Sequence, residues 1–573
     1  MPSVSLNYRE IYRSGPESFN RPASYRWHGT DLRGQELVRS FPDFEVLFGG
    51  IGRIMAGVGP ELVVGIVSPL GVSNRPIAAA LSDAFRSVGY ETRTVNTIDL
   101  VYGFLKEVPP ALPRHELYHA RMSKGNDFRR RLGRSDAVAL ASIADIRDQR
   151  QATTGDAVRP IPRCAYLVRS LKTKEEVDTL RRVYGSHFVL VATYASRERR
   201  KRELTAWLGE DLDGASSVVE TETERLIARD EGEQANPYGQ DLGDTFHRAD
   251  VFVDATSPGS EIQRFVDLLF GHPFRTPTAA ELAMFLAFGS AMRSAARRQV
   301  GAAIATADGE VVALGTNEVA RAFGGQYWEG DERDGRDHRR PTNVTDDLMS
   351  GILKDMLARL RKRGWLHEAK SAADLDALVK LAQDELRKPC ADAPDDPSSL
   401  QEEASVYGLM EFIRPVHAEM AAISSAARRG AGIDKCVIYS TTFPCHECAR
   451  HIVAAGLERV VFIEPYPKSR VAVMFDDSII VDGADGKRVP FVPYVGVAPG
   501  MYLQVFRAPR RKNEDGSLVD WEAVRETQVP RVTSDDYGYI RVEDDGMATF
   551  LELLKTRVPR TATAPGDANG RED

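Results

Sequence analysis

His417-Ala418-Glu419 and, downstream, Pro444-Cys445-His446-Glu447-Cys448 constrain this chain more than any other feature, because they offer three metal ligands, one carboxylate that is not a ligand and no fourth cysteine. A structural zinc is closed by four protein ligands, whereas one imidazole and two thiolates leave a tetrahedral position for water. His417, Cys445 and Cys448 therefore read as ligands of a catalytic Zn2+, which brings the pKa of its water toward about 7. Glu419 reads as the general acid and base that moves that water's protons. Cys445 and Cys448 share one face of a helix that Pro444 is suited to start, and a helix N-terminus favours thiolates. His417 and Glu419, two apart, fall on nearly opposite sides of an ideal helix, so spacing alone does not make them converge. Two other readings of the C-x-x-C remain, a redox pair and half of a closed zinc site. His446 and His451 lie close enough to compete as ligands, but His446 points off the C-x-x-C face and both read as ordinary helix residues.

Elements alternate around this motif. Apolar runs at Val300–Thr306 and Glu310–Thr316 flank the turn signal Ala307-Asp308-Gly309 and predict a hairpin. A helix after Pro415 runs through Ala418–Ala427; then come a strand at Cys436–Tyr439, a helix at Cys445–Ala455 and a strand at Val460–Ile463. Such alternation gives parallel strands with sites at their carboxyl ends, where both halves of the motif fall.

The H-x-E and P-C-x-x-C arrangement is the signature of zinc nucleobase deaminases, and residues 275–500 resemble the cytidine and deoxycytidylate deaminase superfamily. The likeness extends to Arg298-Gln299-Val300-Gly301-Ala302 and Gly315-Thr316-Asn317. It also takes in Gly325-Gln326-Tyr327-Trp328-Glu329-Gly330-Asp331 and Ile463-Glu464-Pro465-Tyr466-Pro467-Lys468-Ser469. With these segments the chain resembles long, two-domain bacterial deaminases that act on deoxycytidine nucleotides in anti-phage defence. The resemblance implies that Asn317 contacts sugar and base, although a turn residue after a strand is the plainer reading. Tyr466 is a candidate to stack on the base, and Lys468 and Ser469 to contact phosphate; surface loops also carry such residues without function.

Length and composition fit two domains. A single core would be unusual for 573 residues, and 42 % hydrophobic content leaves ample apolar surface to bury. A formal charge of −8 disfavours a general polyanion binder, and a base editor of RNA or single-stranded DNA would need a basic groove interleaved with aromatics. No apolar run reaches membrane length and no secretory leader opens the chain, so the expected location is cytoplasmic. Of five cysteines, Cys164 and Cys436 fall in strand-like runs and are expected to be buried, while Cys390 lies in a Pro/Asp-rich surface loop.

Residues 1–55 show no clear period and read as an arm. From 56 to 272 the pattern is strand, turn and helix repeated: Leu62–Val67, the loop Ser68-Pro69-Leu70-Gly71-Val72-Ser73, and a helix at Pro76–Val88. Strands follow at Ala165–Val168, Phe188–Ala192 and Val251–Asp254, with helices at Lys174–Tyr184, Arg197–Leu208 and Ser260–Phe270. This resembles P-loop nucleotide kinases. The loop is degenerate, because Val72 stands at the lysine position and Ile66 at the first glycine. Backbone amides and a helix N-terminus can still hold a phosphate, so Ser68, Gly71, Val72 and Ser73 are candidate nucleotide-binding residues, while phosphoryl transfer is not expected. The domain is then a nucleotide sensor or a scaffold that has lost binding. Arg197, Arg199, Arg200, Lys201 and Arg202 resemble a phosphate-clamping lid helix; a solvated face is the other reading.

The expected fold is thus α/β throughout: an N-terminal P-loop kinase-like parallel sheet with helices on both faces, then a cytidine-deaminase-like α/β/α sandwich over 273–555 with a helical insertion at 340–409. The insertion predicts an apolar stripe of Leu348, Ile352, Met356, Leu357 and Leu360, for domain packing or subunit contact. Glu329–Arg340 is a charged loop, and 556–573 a polar, disordered tail. The resemblance implies hydrolytic deamination of dCTP or dCMP, depletion of the dCTP pool in defence, a regulatory nucleotide and a homo-oligomer; an inhibitor or antitoxin of unknown identity is left open as a further partner. A housekeeping deoxycytidylate deaminase for thymidylate supply has the same chemistry but no need of the N-terminal domain. A nucleotide-sensing interaction protein with a vestigial deaminase domain is the reading from another class.

Overall fold

In the computed structural model, the described residues are 29–30, 36–37 and 59–558, apart from 211–215, 234–235, 297, 387–411, 467–468, 508 and 532–537. Residues 1–57 cluster as one unit and 58–573 as another. The first unit contains a two-residue antiparallel ladder, Gly29–Thr30 with Glu36–Leu37; the rest of the expected arm, the tail beyond Val558, Cys390 and Lys468 lie outside the described residues.

The second unit holds two sheets. Strands β1 (Leu62–Val67), β2 (Glu91–Asn96), β3 (Cys164–Arg169), β4 (Phe188–Tyr194) and β5 (Val251–Asp254) pair in parallel in the order 2-3-1-4-5. Helices join them: α1 (Asn74–Ser87), α2 (Thr97–Leu105), α3 (Arg114–Leu132), α4 (Ala137–Thr154), α5 (Lys174–Tyr184), α6 (Arg197–Gly209), α7 (Ser216–Glu231) and α8 (Pro258–Leu269). Period-two alternation explains why both faces are covered. Val63, Val168 and Leu190 join Ile143 and Ile146 of α4 in one core, while Val64, Leu167 and Val191 join Leu81 of α1 and Phe265 of α8 in another.

The second sheet is mixed. Helix α9 (Ala279–Ala291) precedes an antiparallel hairpin, β6 (Gly301–Ala305) and β7 (Val311–Thr316), as the turn signal predicts. A small ladder joins β8 (Glu318–Val319) to β9 (Pro415–Val416). Strands β10 (Val437–Thr442), β11 (Arg459–Glu464), β12 (Ile479–Val481) and β13 (Val489–Pro493) complete the order 12-13-11-10-6-7, with β6 antiparallel to β10 and the others around β11 parallel. Helices α12 (Ala418–Arg429) and α13 (His446–Ala454) cover one face and α9 the other. In the insertion, α10 (Val344–Lys362) and α11 (Leu375–Leu386) form; the buried positions of α10 are Met349 and Leu353, whereas Leu348 and Met356 of the expected stripe are exposed. The inward face is rotated by one residue because α10 packs on α11 along that edge. Among the described residues no helix is long and apolar enough to cross a membrane.

Two segments read from sequence as part of the second domain lie on the first sheet. After β13, the short strand β14 (Gly496–Val497) pairs antiparallel with β5, Val497 opposite Val251. The Val497 N–H donates to buried Glu281 of α9, which also holds Arg264 of α8 at 2.7 Å. The last helix, α14 (Tyr539–Arg557), packs beside α3, α4 and α5. Its Glu543 accepts from Arg150 of α4 at 2.6 Å, Arg150 also reaches Glu61 at 3.0 Å, and the Tyr539 hydroxyl donates to Glu61 at 3.1 Å. Arg150 and Glu543 are fully buried. Removing one partner of such a group strands an uncompensated charge. Arg150→Met should therefore cost about 3–5 kcal/mol in denaturant unfolding and expose α14 to limited proteolysis; a loss below about 1 kcal/mol would show that the pair does not hold this helix.

Candidate metal and catalytic site

His417 and Cys445 are the residues that immediately precede α12 and α13, and both have extended backbone, φ −63° and ψ 153° at His417, φ −70° and ψ 168° at Cys445. This resolves the convergence that periodicity denies. His417 stands outside the helix, so its side chain does not follow the helical period, while Glu419 lies in the first turn. Two helix N-termini meet at the cluster, and their dipoles favour negative charge there.

The fit of α12 against the sheet sets where these side chains fall. A β-carbon on Gly315 of β7 would penetrate the Ala418 carbonyl and the Ala422 amide, so the helix backbone rests directly on the strand. Ala418, Ala422 and Ala426 line the buried side of α12. Gly301 admits α9 on the other face in the same way, against Ala287 and Ala291.

His417 Nδ1 lies 3.3 Å from Cys445 Sγ and 3.4 Å from Cys448 Sγ. A tetrahedral zinc with Zn–S of about 2.3 Å and Zn–N of about 2.0–2.1 Å separates sulfur from nitrogen by roughly 3.5 Å, so the three atoms fit zinc. His446 and His451 are not part of this cluster. Glu419 Oε2 is 3.4 Å from Cys448 Sγ, and its Oε1 accepts from the Ser440 hydroxyl at 3.2 Å. Glu419, Cys448 and Ser440 are buried, 4 %, 0 % and 0 % exposed.

Electrostatics follow from that burial. A hydrogen bond with Cys448 lowers the Cys445 thiol to about 4 against the cost of burial, with His417 assisting. The same pairing raises Cys448 well above its ordinary value. The hydrogen bond to Cys445 raises His417 above 6.5. Burial raises Glu419, and the neighbouring Cys445 thiolate adds to it. A carboxyl raised this way suits a group that must take up and return a proton.

The other expected residues are placed as follows. Asn317 Oδ1 accepts from the Val300 N–H at 2.8 Å and its Nδ2 donates to the Arg298 carbonyl at 2.6 Å, so its amide ties the end of β7 to the start of β6. Tyr466 packs against the core that contains Cys445 and Cys448. The Ser469 hydroxyl donates to the Pro444 carbonyl at 3.0 Å, bracing the loop that carries Cys445. Sequence reasoning gave no role to Ser440 or Arg298. Ser440 occupies a buried position of β10, whose burial alternates along the strand, so a small polar residue at an inward position was the available signal. Arg298 pairs with Glu464, which accepts from Thr442, and its guanidinium lies 5.9 Å from the centre of the Tyr466 ring. Nearby, Arg293 stacks 3.7 Å over Trp328.

With this geometry in hand, comparison with known proteins gives a regional match. Residues 277–464 match the cytidine and deoxycytidylate deaminase zinc-binding region. The chain is 32 % identical over 90 residues to the deoxycytidylate deaminase of Enterobacteria phage T2, covering 16 % of this chain and 47 % of that protein. It is also 40 % identical over 53 residues to ComE operon protein 2 of Bacillus subtilis (strain 168), covering 9 % of this chain and 28 % of that protein. The chain thus spans less than half the length of these curated relatives. Among solved structures, the dCMP deaminase of cyanophage S-TIM5 in complex with dCMP and dUMP aligns over 39 % of this chain and 100 % of its own, with 16 % identity and a TM-score of 0.20. The matched region contains the His417, Cys445 and Cys448 group, which could hold zinc.

Two outcomes follow for the metal. Gly315→Val should lift α12 from β7 and lower the zinc content of purified protein, measured by elemental analysis, while a full complement would show that the close approach is not needed. Zinc uptake should release protons, because His417 must be neutral and Cys448 a thiolate. Affinity should therefore fall as pH drops below the raised range of Cys448, and more steeply where His417, held above 6.5, also takes a proton; calorimetry in buffers of different ionisation enthalpy measures the proton count.

Proposed function

We propose that the protein is a zinc-dependent hydrolase that deaminates a deoxycytidine nucleotide, dCTP or dCMP, to the deoxyuridine nucleotide and ammonia. The observation that carries this reading is the convergence of His417, Cys445 and Cys448 with a buried carboxyl that is not needed as a ligand, Glu419. Held by those three side chains, zinc supplies a water acidified toward about pH 7. Glu419 takes the proton of the attacking water on a carboxylate oxygen and hands it to the ring nitrogen of the base, then takes the second proton from the hydroxyl now on the ring carbon and passes it to the departing amine as the carbonyl forms. Ser440 holds Oε1 and so orients the carboxyl for both transfers. Tyr466 is assigned to stacking on the base, Asn317 to sugar and base contacts, and Lys468 and Ser469 to phosphate. Arg298, paired with Glu464, flanks Tyr466 on that side.

The similarity of the deaminase region to phage deoxycytidylate deaminases supports deoxycytidine nucleotides over other aminated bases. The reading extends to a cytoplasmic homo-oligomer that depletes the dCTP pool in anti-phage defence, with residues 56–272 as a P-loop kinase-like, nucleotide-binding regulator. The 2-3-1-4-5 parallel sheet and the loop Ser68–Ser73 support that last assignment. A housekeeping deoxycytidylate deaminase gives no reason for this parallel first sheet.

Ammonia release from dCMP, dCDP, dCTP, CTP and deoxycytidine tests the substrate class. Glu419→Gln should retain zinc and lose about 10²–10⁴ in turnover. Equal turnover of variant and wild type would overturn the catalytic assignment.

A further inference from the structure

The loop Ser68–Ser73 lies beneath α6 and α7. Leu70 is buried with Leu204 and Leu208 of α6 and Leu226 and Ile227 of α7. Gly71 has φ +91°, and a β-carbon there would come within 2.7 Å of the Arg200 carbonyl oxygen and 2.8 Å of the Arg200 β-carbon. The helix that resembles a phosphate-clamping lid is thus closed onto the loop.

An anion already sits in it. The Leu70 N–H, one of the amides such a loop directs at phosphate, donates to Asp230 Oδ2 at 2.6 Å. Lys172 Nζ donates to the other oxygen of that carboxylate at 2.7 Å and to the Ser68 carbonyl at 3.0 Å. Lys172 follows β3, so a lysine from a neighbouring strand brings to the loop the charge that Val72 does not. Asp230 is 0 % exposed. The lid's cations are paired in the same manner with the acids of α7: Arg197 with Glu224 at 2.8 Å and Glu231 at 2.7 Å, Arg200 with Glu231 at 2.7 Å, and Lys201 with Glu224 at 3.0 Å. Arg200 is 8 % exposed, yet its Nε and Nη1 have no hydrogen-bond partner among the described residues. A buried guanidinium left partly unsatisfied, on a residue whose backbone abuts Gly71, is a donor for which one carboxylate does not suffice.

We propose that Asp230 is a built-in plug of the phosphate loop, and that a polyphosphate ligand enters by displacing its carboxylate from Leu70 and Lys172 and opening α6 and α7. This rests on reading residues 56–272 as a nucleotide-binding regulator and names how that site is controlled. Carboxylate and phosphate oxygens use the same charge-assisted bonds, so the two compete for one amide and one ammonium. Polyphosphate offers more oxygens and more charge, and can also engage Arg200. Because the competent, open form is a minor one in the wild type, apparent affinity is reduced by its fraction, and removing the plug restores it.

The test uses full-length, zinc-loaded protein and inorganic tripolyphosphate, with binding measured by calorimetry. Asp230→Asn and Asp230→Ala should bind at least about tenfold tighter than wild type. Lys172→Ala combined with Asp230→Ala should erase the gain. If Asp230→Ala is unstable because Lys172 is left unpaired, tripolyphosphate should raise its melting temperature more than that of wild type. Binding no tighter in either single variant, or no stabilisation of an unstable one, overturns the plug. Deaminase turnover with and without tripolyphosphate separates the two ideas. Tighter binding with unresponsive turnover keeps the plug and overturns the regulatory reading; a wild type inactive toward all five substrates overturns the deaminase reading and leaves the binding result standing.

Discussion

The direct seating of α12 on β7 at Gly315 is the contact on which the rest of the site depends. Without a side chain on that strand residue, the Ala418 carbonyl and Ala422 amide rest on the sheet, and the helix can begin only where β9 delivers it. His417 then stands just outside the helix and Glu419 just inside. The second helix, α13, starts after β10 with Cys445 in the equivalent position. Each helix contributes one ligand ahead of its first turn, and that shared geometry converts two separate sequence motifs into one cluster. The alanine-lined side of α12 follows from the same closeness, since larger side chains would hold the helix away from the strand.

A second layer of the architecture ties the second sheet to the first. The chain leaves β13 and within a few residues adds β14 to the edge beside β5, where Glu281 clasps Val497 and Arg264 together. Farther along, α14 returns to α4 and is fixed by Arg150 between Glu61 and Glu543. Burying a charged group surrounded by two carboxylates and tyrosine hydroxyls is costly unless every partner is present. The arrangement thus makes α14 integral to the fold of the first sheet. One apolar core contains Met284 and Ala303 from the deaminase region together with Phe252 from the first sheet, so the two are continuous in packing as well as in chain.

Local signals made much of this legible. The strands Leu62–Val67 and Val251–Asp254 and the helix Lys174–Tyr184 coincide with their apolar runs and caps, and the 300–316 hairpin with its Asp-Gly turn. The metal ligands were legible through residue type and spacing. Their convergence was not, because it depends on His417 having extended backbone, which no periodicity encodes. Strand β2, Glu91–Asn96, was missed because it is a polar edge strand with one buried residue, Val95. The returns of β14 and α14 to the first sheet were invisible for another reason: long-range pairing leaves no local mark in a two-residue strand, and the buried face of α14 is polar at Glu543. In α10 the apolar residues are more numerous than the partner helix can cover, so pattern alone chose the wrong edge. The helix of α6 was legible from its run and cap, but the pairing of its basic residues with the acids of α7 needed the fold to bring residues 197–201 and 224–231 together.

The account centres on a metal held by one imidazole and two thiolates, with its remaining position open to water. X-ray absorption at the zinc edge measures that shell directly. Two sulfurs at about 2.3 Å and two lighter nitrogen or oxygen ligands at about 2.0–2.1 Å are predicted. Three or four sulfurs, one sulfur alone, or a protein that carries no zinc at all would contradict it.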